Sequence, residues 1–251
     1  MPLPSPSSTV VSVENGRSFN DTLTELRSIF TLPQVVSAVL EDMGLGSVAV
    51  TGDRESPALP VDFSVLHFII LPQKSAWLDF LLETDRASAL KIYEAVSGVS
   101  EASDADLEDM LRETMNMIHG ALKIAFKKDR VDVIIPVVPQ SIATVRLAAA
   151  AGGYSLQSRH VFTGAGIKLR LTMVARVSPI TRKQLSQFHL AEVLVEPVSA
   201  DGNDALVLVK QNTMLNKRML EKIHNLAECE PETKTHPVIE PSPFAALLPH
   251  D

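Results

Sequence analysis

Residues 104–127, DADLEDMLRETMNMIHGALKIAFK, carry an unbroken amphipathic pattern that constrains the fold more than any other stretch of the chain. At about 100° per residue and with Leu107 at the origin, Leu111, Thr114, Ile118, Ala121, Leu122 and Ala125 all fall within about 60° of it, which predicts one buried stripe. Ser103 stands where a helix cap belongs, Asp104 and Asp106 occupy the first turn, and Lys123, Lys127 and Lys128 occupy the last. That charge order matches the helix dipole.

On the same wheel Asn116, Asp109, Gly120 and Glu113 fall at about 180° to 240°, on the face opposite the buried stripe. They are expected to point outward together. Glu113 and Asn116 are three residues apart, so a carboxylate and a carboxamide stand side by side on a rigid scaffold, and Gly120 one turn later leaves room for a partner's backbone. Asn is a mediocre helix former with no capping role in mid-helix, so its presence asks for an explanation. His119, at about 120°, is expected beside Asn116 at the rim of this face.

The rest of the chain reads as α+β. Helical spacing from Asp21 to Met43, with a new helix starting at Pro33, stops at Gly44; Leu66 to Leu71 and Ala76 to Leu82 read as strands joined by Pro72-Gln73-Lys74-Ser75. Asp85 can cap a helix reaching about Val96, which Gly98 closes. Residues 131–138, 156–162 and 167–177 are strand-like, punctuated by Gly152-Gly153 and Gly164-Ala165-Gly166. Helices beside strands joined by short turns give an antiparallel sheet with the long helices packed on it. Past Pro179, strands near Val193 to Val198 and Ala205 to Val209 and a helix near Asn216 to Ala227 form a small β-rich module. The domain plan is a mobile tail over 1–18, a main domain over 19–178, the module over 179–227 and a Pro-rich mobile tail over 228–251.

Composition narrows the function. A formal net charge of −7 argues against a nucleic-acid binder working through a basic surface. The longest apolar run, Val131 to Val138, is interrupted by Asp132 and Pro136, so no membrane span is expected. The opening residues lack the cationic start and apolar segment of a secretory signal, so a cytoplasmic location is expected. Cys229 stands alone, excluding an internal disulfide and a cysteine-based zinc site. The seven histidines are scattered along the chain, and no metal ligation by this chain is expected.

Asp109, Glu113, Asn116 and Pro139 also fit a longer spacing: D, three residues, E, two residues, N, twenty-two residues, P. In this the chain resembles the CheC, CheX and FliY phosphatases of bacterial chemotaxis, over residues 19–177, with CheX the nearer because no second E-x-x-N occurs. The resemblance implies a substrate, the phosphoaspartate of a CheY-like response-regulator receiver domain, with Mg²⁺ supplied by that receiver and no cofactor bound by this chain. It gives Asn116 the orientation of the attacking water and Glu113 the pairing with the receiver's active-site lysine. The partner-binding set is then Asp109 at the rim, Gly120, His119 and Pro139, the last supporting the helix from the following strand. A homodimer through the sheet is also implied. Ala121 stands where CheX-like sequences commonly have Asn, and the Ala-rich residues 147–153 have no match in the family. Phe188 to Leu226 resembles the lead-in module of HD-GYP cyclic-di-GMP phosphodiesterases, although no such catalytic domain follows in this sequence. The second reading is a non-catalytic interaction or adaptor module in two-component or cyclic-di-GMP signalling.

Overall fold

The computed structural model describes residues 32–52, 59–128, 130–135, 139–142, 156–178, 180–199, 207–228, 230–231 and 233–242. The tail over 1–18 and the Ala-rich segment lie outside these. The chain divides into two compact units, Phe19–Arg176 and one that includes Val177–Asp251. No helix among the described residues is long and apolar enough to cross a membrane.

In the first unit, α1 (Leu32–Leu40) buries Leu32, Val36, Val39 and Leu40 and runs into a π-helical turn, Glu41–Leu45. The helical conformation breaks at Gly44, whose φ of 86° suits glycine alone among common residues. β1 (Ala49–Gly52), β2 (Phe63–Leu71) and β3 (Ala76–Thr84) follow. β2 and β3 form a hairpin in continuous register from Phe63 opposite Thr84 to Leu71 opposite Ala76. Every residue of β2 is buried, so the strand is covered on both faces. This explains why FSVLHFIIL shows no polar alternation apart from Ser64 and His67.

α2 (Arg86–Ser97) is capped by Asp85, which accepts the Ser88 N–H at 2.7 Å, and is closed by Gly98 at φ 74°. α3 (Asp104–Lys128) is the long helix, and it packs on α1, α2 and β2. Its start is fixed by a reciprocal pair: Ser103 Oγ accepts the Asp106 N–H at 3.2 Å, and Asp106 Oδ2 accepts the Ser103 N–H at 3.0 Å. The buried residues of α3 are Leu107, Leu111, Thr114, Met115, Ile118, His119, Leu122 and Phe126. The buried arc therefore runs from about 340° to about 120° on the wheel, turned by tens of degrees from the predicted stripe. The larger side chains decide this. Met115 and Phe126 go fully inside while Ala121 and Ala125 stay half-buried, because burying the larger apolar area stabilises more.

The expected strand over 131–138 is corrected by the structure. Among its described residues only Ile134 pairs, by two backbone bonds of 2.9 Å with Ile70 at the outer edge of β2. Pro139, the residue before the next strand, has no N–H to give a ladder. β4 (Gln140–Ser141) then adds two residues against Leu66 and Val65. β5 (Leu156–Gly164) and β6 (Ile167–Val177) form a hairpin whose two-residue loop, Ala165-Gly166, has φ of 51° and 80°, the left-handed pair of a type I′ turn. A Cβ at Gly164 would stand 2.9 Å from the Ser47 carbonyl oxygen, so only glycine lets the chain leading into β1 come this close. The six-stranded sheet has the order β1-β5-β6-β3-β2-β4. The unit is α+β, as expected.

The second unit, by itself, contains β7 (Ile180–Lys183), β8 (Val193–Leu194), β9 (Val198–Ser199), β10 (Val207–Val209), α4 (Lys217–Ala227) and β11 (His236–Ile239). Asn216 caps α4 by accepting the Met219 N–H at 2.9 Å. Leu185, Phe188, Leu194, Val198, Val209, Leu215, Leu220, Ile223 and Val238 make its core. The expected mobile tail over 228–251 is overturned at His236–Ile239, a fully buried strand between β7 and β8. Pro237 is accommodated at the end of the β11–β8 pairing, where its carbonyl still accepts the Val195 N–H at 3.1 Å.

Candidate functional site

α3 positions the candidate site. Its inner arc is anchored against α1, α2 and the sheet, so the outer face can move little relative to the unit's core. Asp109, Glu113, Asn116 and Gly120 are all exposed on that outer face, as the wheel predicts. Asn116 Nδ2 donates to Glu113 Oε2 at 3.2 Å. Since only the amide nitrogen can donate to a carboxylate, the bond also fixes which way the carboxamide points. One N–H and the oxygen Oδ1 remain for an incoming group. Asp109 pairs with Arg112 on its own helix, three residues along.

A Cβ at Gly120 would meet nothing within 4 Å. The fold itself therefore does not require glycine here, where it costs about 1 kcal/mol of helix stability relative to alanine.

Two of the expected partner-binding residues are out of a partner's reach. His119 is 0% exposed rather than at the rim. Its ring stacks on His67 of β2 with centroids 4.2 Å apart and meets Phe80 of β3 edge-on at 4.6 Å. Burial first, and then the neighbouring His67, hold its pKa well below the ordinary histidine value. The wheel placed His119 correctly at about 120°; the arc that is buried extends farther than the predicted stripe. Pro139 is buried too, in the segment that enters β4.

The structure adds neighbours that the motif did not include. Met117 and Ile124, 38% and 62% exposed, lie at about 280° and 260° on the wheel, the same face as Glu113 and Gly120. Lys123 and Lys127 are exposed beside them. Apolar residues on the outward side of a polar helix face are the signal that could have found them. Among the described residues no three His, Cys, Asp or Glu side chains converge to hold a metal ion.

No family model matches the chain, and no curated protein matches it. Solved structures similar to it include the chemotaxis protein CheX from Vibrio vulnificus, at 16% identity over 58% of this chain and 93% of that one, with a TM-score of 0.45. A second is the CheX-CheY-BeF3-Mg complex from Borrelia burgdorferi, at 18% identity over 58% and 95%, with a TM-score of 0.47. A third is a chemotactic CheC-like protein from Shewanella oneidensis MR-1, at 15% identity over 60% and 99%, with a TM-score of 0.47.

Proposed function

We propose that the unit Phe19–Arg176 is an aspartyl-phosphate protein phosphatase acting on a phosphorylated response-regulator receiver domain, with Asn116 and Glu113 as its working pair. The observation that carries this reading is the outward Glu113–Asn116 hydrogen bond on the long helix, within the D-x3-E-x2-N-x22-P spacing.

Hydrolysis of an acyl phosphate needs a water in line with the bond from phosphorus to the aspartyl oxygen. That bond breaks as the water oxygen attaches, and the products are inorganic phosphate and the free carboxylate. Orientation and charge placement do most of the catalytic work in such a reaction. Asn116 Oδ1 accepts from the attacking water, and the second N–H of Nδ2 donates to a phosphoryl oxygen. A carboxylate at 116 would repel the dianion. Glu113 holds the carboxamide from one side and meets the receiver's lysine on the other, fixing the docking register. The receiver brings its own Mg²⁺, which neutralises phosphoryl charge. Gly120 lets the partner's backbone approach, and Met117 supplies apolar contact beside it.

The assay is release of phosphate from acetyl-phosphate-charged receiver domains of the native cell, with the full chain and with Asn116→Ala. Acceleration that requires Asn116 supports the phosphatase. Binding of a receiver without acceleration supports the non-catalytic adaptor instead.

A further inference from the structure

Glu113, Asn116, Met117, Gly120, Lys123, Ile124 and Lys127 form one exposed seam along α3, within about 60° of 220° on the wheel. Two of its three charges are placed antisymmetrically about Gly120: Glu113 lies seven residues before it and Lys127 seven after. Met117 and Lys123 lie three residues to either side of Gly120, and Asn116 and Ile124 four.

We infer that this seam is an isologous interface, on which a second copy of the chain lays its own α3 antiparallel across a two-fold axis at Gly120. In that arrangement residue 120 + n of one copy meets residue 120 − n of the other. Glu113 then faces the second copy's Lys127, twice by symmetry. Met117 and Ile124 are covered by the second copy's Lys123 stem and Asn116, with the two apolar residues adjacent across the axis. The helices approach closest where the two Gly120 meet, which gives glycine at this site a role the fold itself does not. Parallel pairing is disfavoured because it would set Glu113 against Glu113 and Lys127 against Lys127.

The contact spans about 21 Å of helix, so the dimer belongs to the small, reversible class and forms at high concentration. It is a different surface from the dimer through the sheet that the family resemblance implies. Resting on the function proposed above, it also has a regulatory consequence: the seam contains Glu113 and Asn116, so the dimer is the latent form, and a receiver must displace the second copy.

The test is sedimentation velocity of the full chain at low salt from about 10 µM to about 1 mM, for wild type, Glu113→Lys, Lys127→Glu and an equimolar mixture of the two variants. Both side chains are exposed, and circular dichroism checks that each variant is folded. Wild type is expected to dimerise, and each variant alone to associate roughly tenfold more weakly, since its pairs across the axis become like-charged. The mixture is expected to return to the wild-type level, because in a dimer of one variant with the other both pairs across the axis again join opposite charges. A monomeric wild type, a dimer indifferent to both swaps, or a mixture no tighter than either variant alone would each overturn the inference. No phosphate release is read, so the result stands or falls apart from the catalytic reading.

Discussion

His119 lies face to face with His67, their ring centroids 4.2 Å apart and their planes 18° from parallel, on the inner side of the helix that carries Asn116 and Glu113. Phe80 closes the third side, and neither nitrogen of His119 has a hydrogen-bond partner. Holding an imidazole this way keeps it neutral, and that makes the anchoring of α3 sensitive to acid.

The unfolded chain takes up a proton at His119 near pH 6.5, whereas the folded chain resists doing so. The unfolded state thus binds more protons below that pH, and stability falls as pH drops through about 6.5, by at most about 1.4 kcal/mol per pH unit for this group. His160, half-buried, contributes with the same sign. Asp106, whose pKa the Ser103 hydrogen bonds lower, acts only in more acidic solution. Urea denaturation between pH 8 and pH 5 is expected to show a plateau and then a fall, with a shallower fall in His119→Phe.

Gly120 and Gly164 predict opposite outcomes. Gly120→Ala is expected to raise stability by up to about 1 kcal/mol, since a Cβ there meets nothing and alanine is the better helix former. Gly164→Ala is expected to lower it by about 1–3 kcal/mol, because the added carbon sits 2.9 Å from the Ser47 carbonyl oxygen. Thermal unfolding of both variants checks the pair of signs. A destabilised Gly120→Ala would mean that the fold needs this glycine after all.

Much of this was legible in the sequence because α3 has a strong 3.6-residue period, and the outward set Asp109, Glu113, Asn116 and Gly120 follows from it directly. What the period could not supply was the weight of individual side chains, so the buried arc was centred on Leu107 and missed Met115, His119 and Phe126. The strand at His236–Ile239 was hidden by Pro237, a residue that ordinarily argues against a central strand. The opposite error arose at residues 131–138, where β-branched residues suggested a strand but, among the described residues, only Ile134 pairs. Nor could spacing alone show that Asn116 and Glu113 share a hydrogen bond. That depends on their rotamers.

Glu113→Ala is expected to weaken receiver binding and slow hydrolysis together, because it removes both the lysine's partner and the group that holds the Asn116 carboxamide. Titration of a phosphorylation-mimicking receiver alongside the rate assay separates the two effects. Unchanged affinity and rate would remove Glu113 from the site.

A fragment of residues 19–178 is expected to fold and to keep the hydrolytic activity of the full chain. Asp109, Glu113, Asn116 and Gly120 all lie on α3, and β6 ends at Val177, so the cut spares every strand of the six-stranded sheet. A folded but inactive fragment, on a receiver that the full chain hydrolyses, would place part of the site after residue 178.

The most direct measurement is the rate of phosphate release from a charged receiver with wild type and with Asn116→Ala, paired with the melting temperature of each. The account predicts acceleration by wild type and a loss of about a hundredfold or more in the variant, as removal of one well-placed hydrogen-bonding group costs in comparable sites. It also predicts a melting temperature changed by no more than about 2 °C, since Asn116 is exposed. Equal acceleration by the folded Asn116→Ala variant would contradict it.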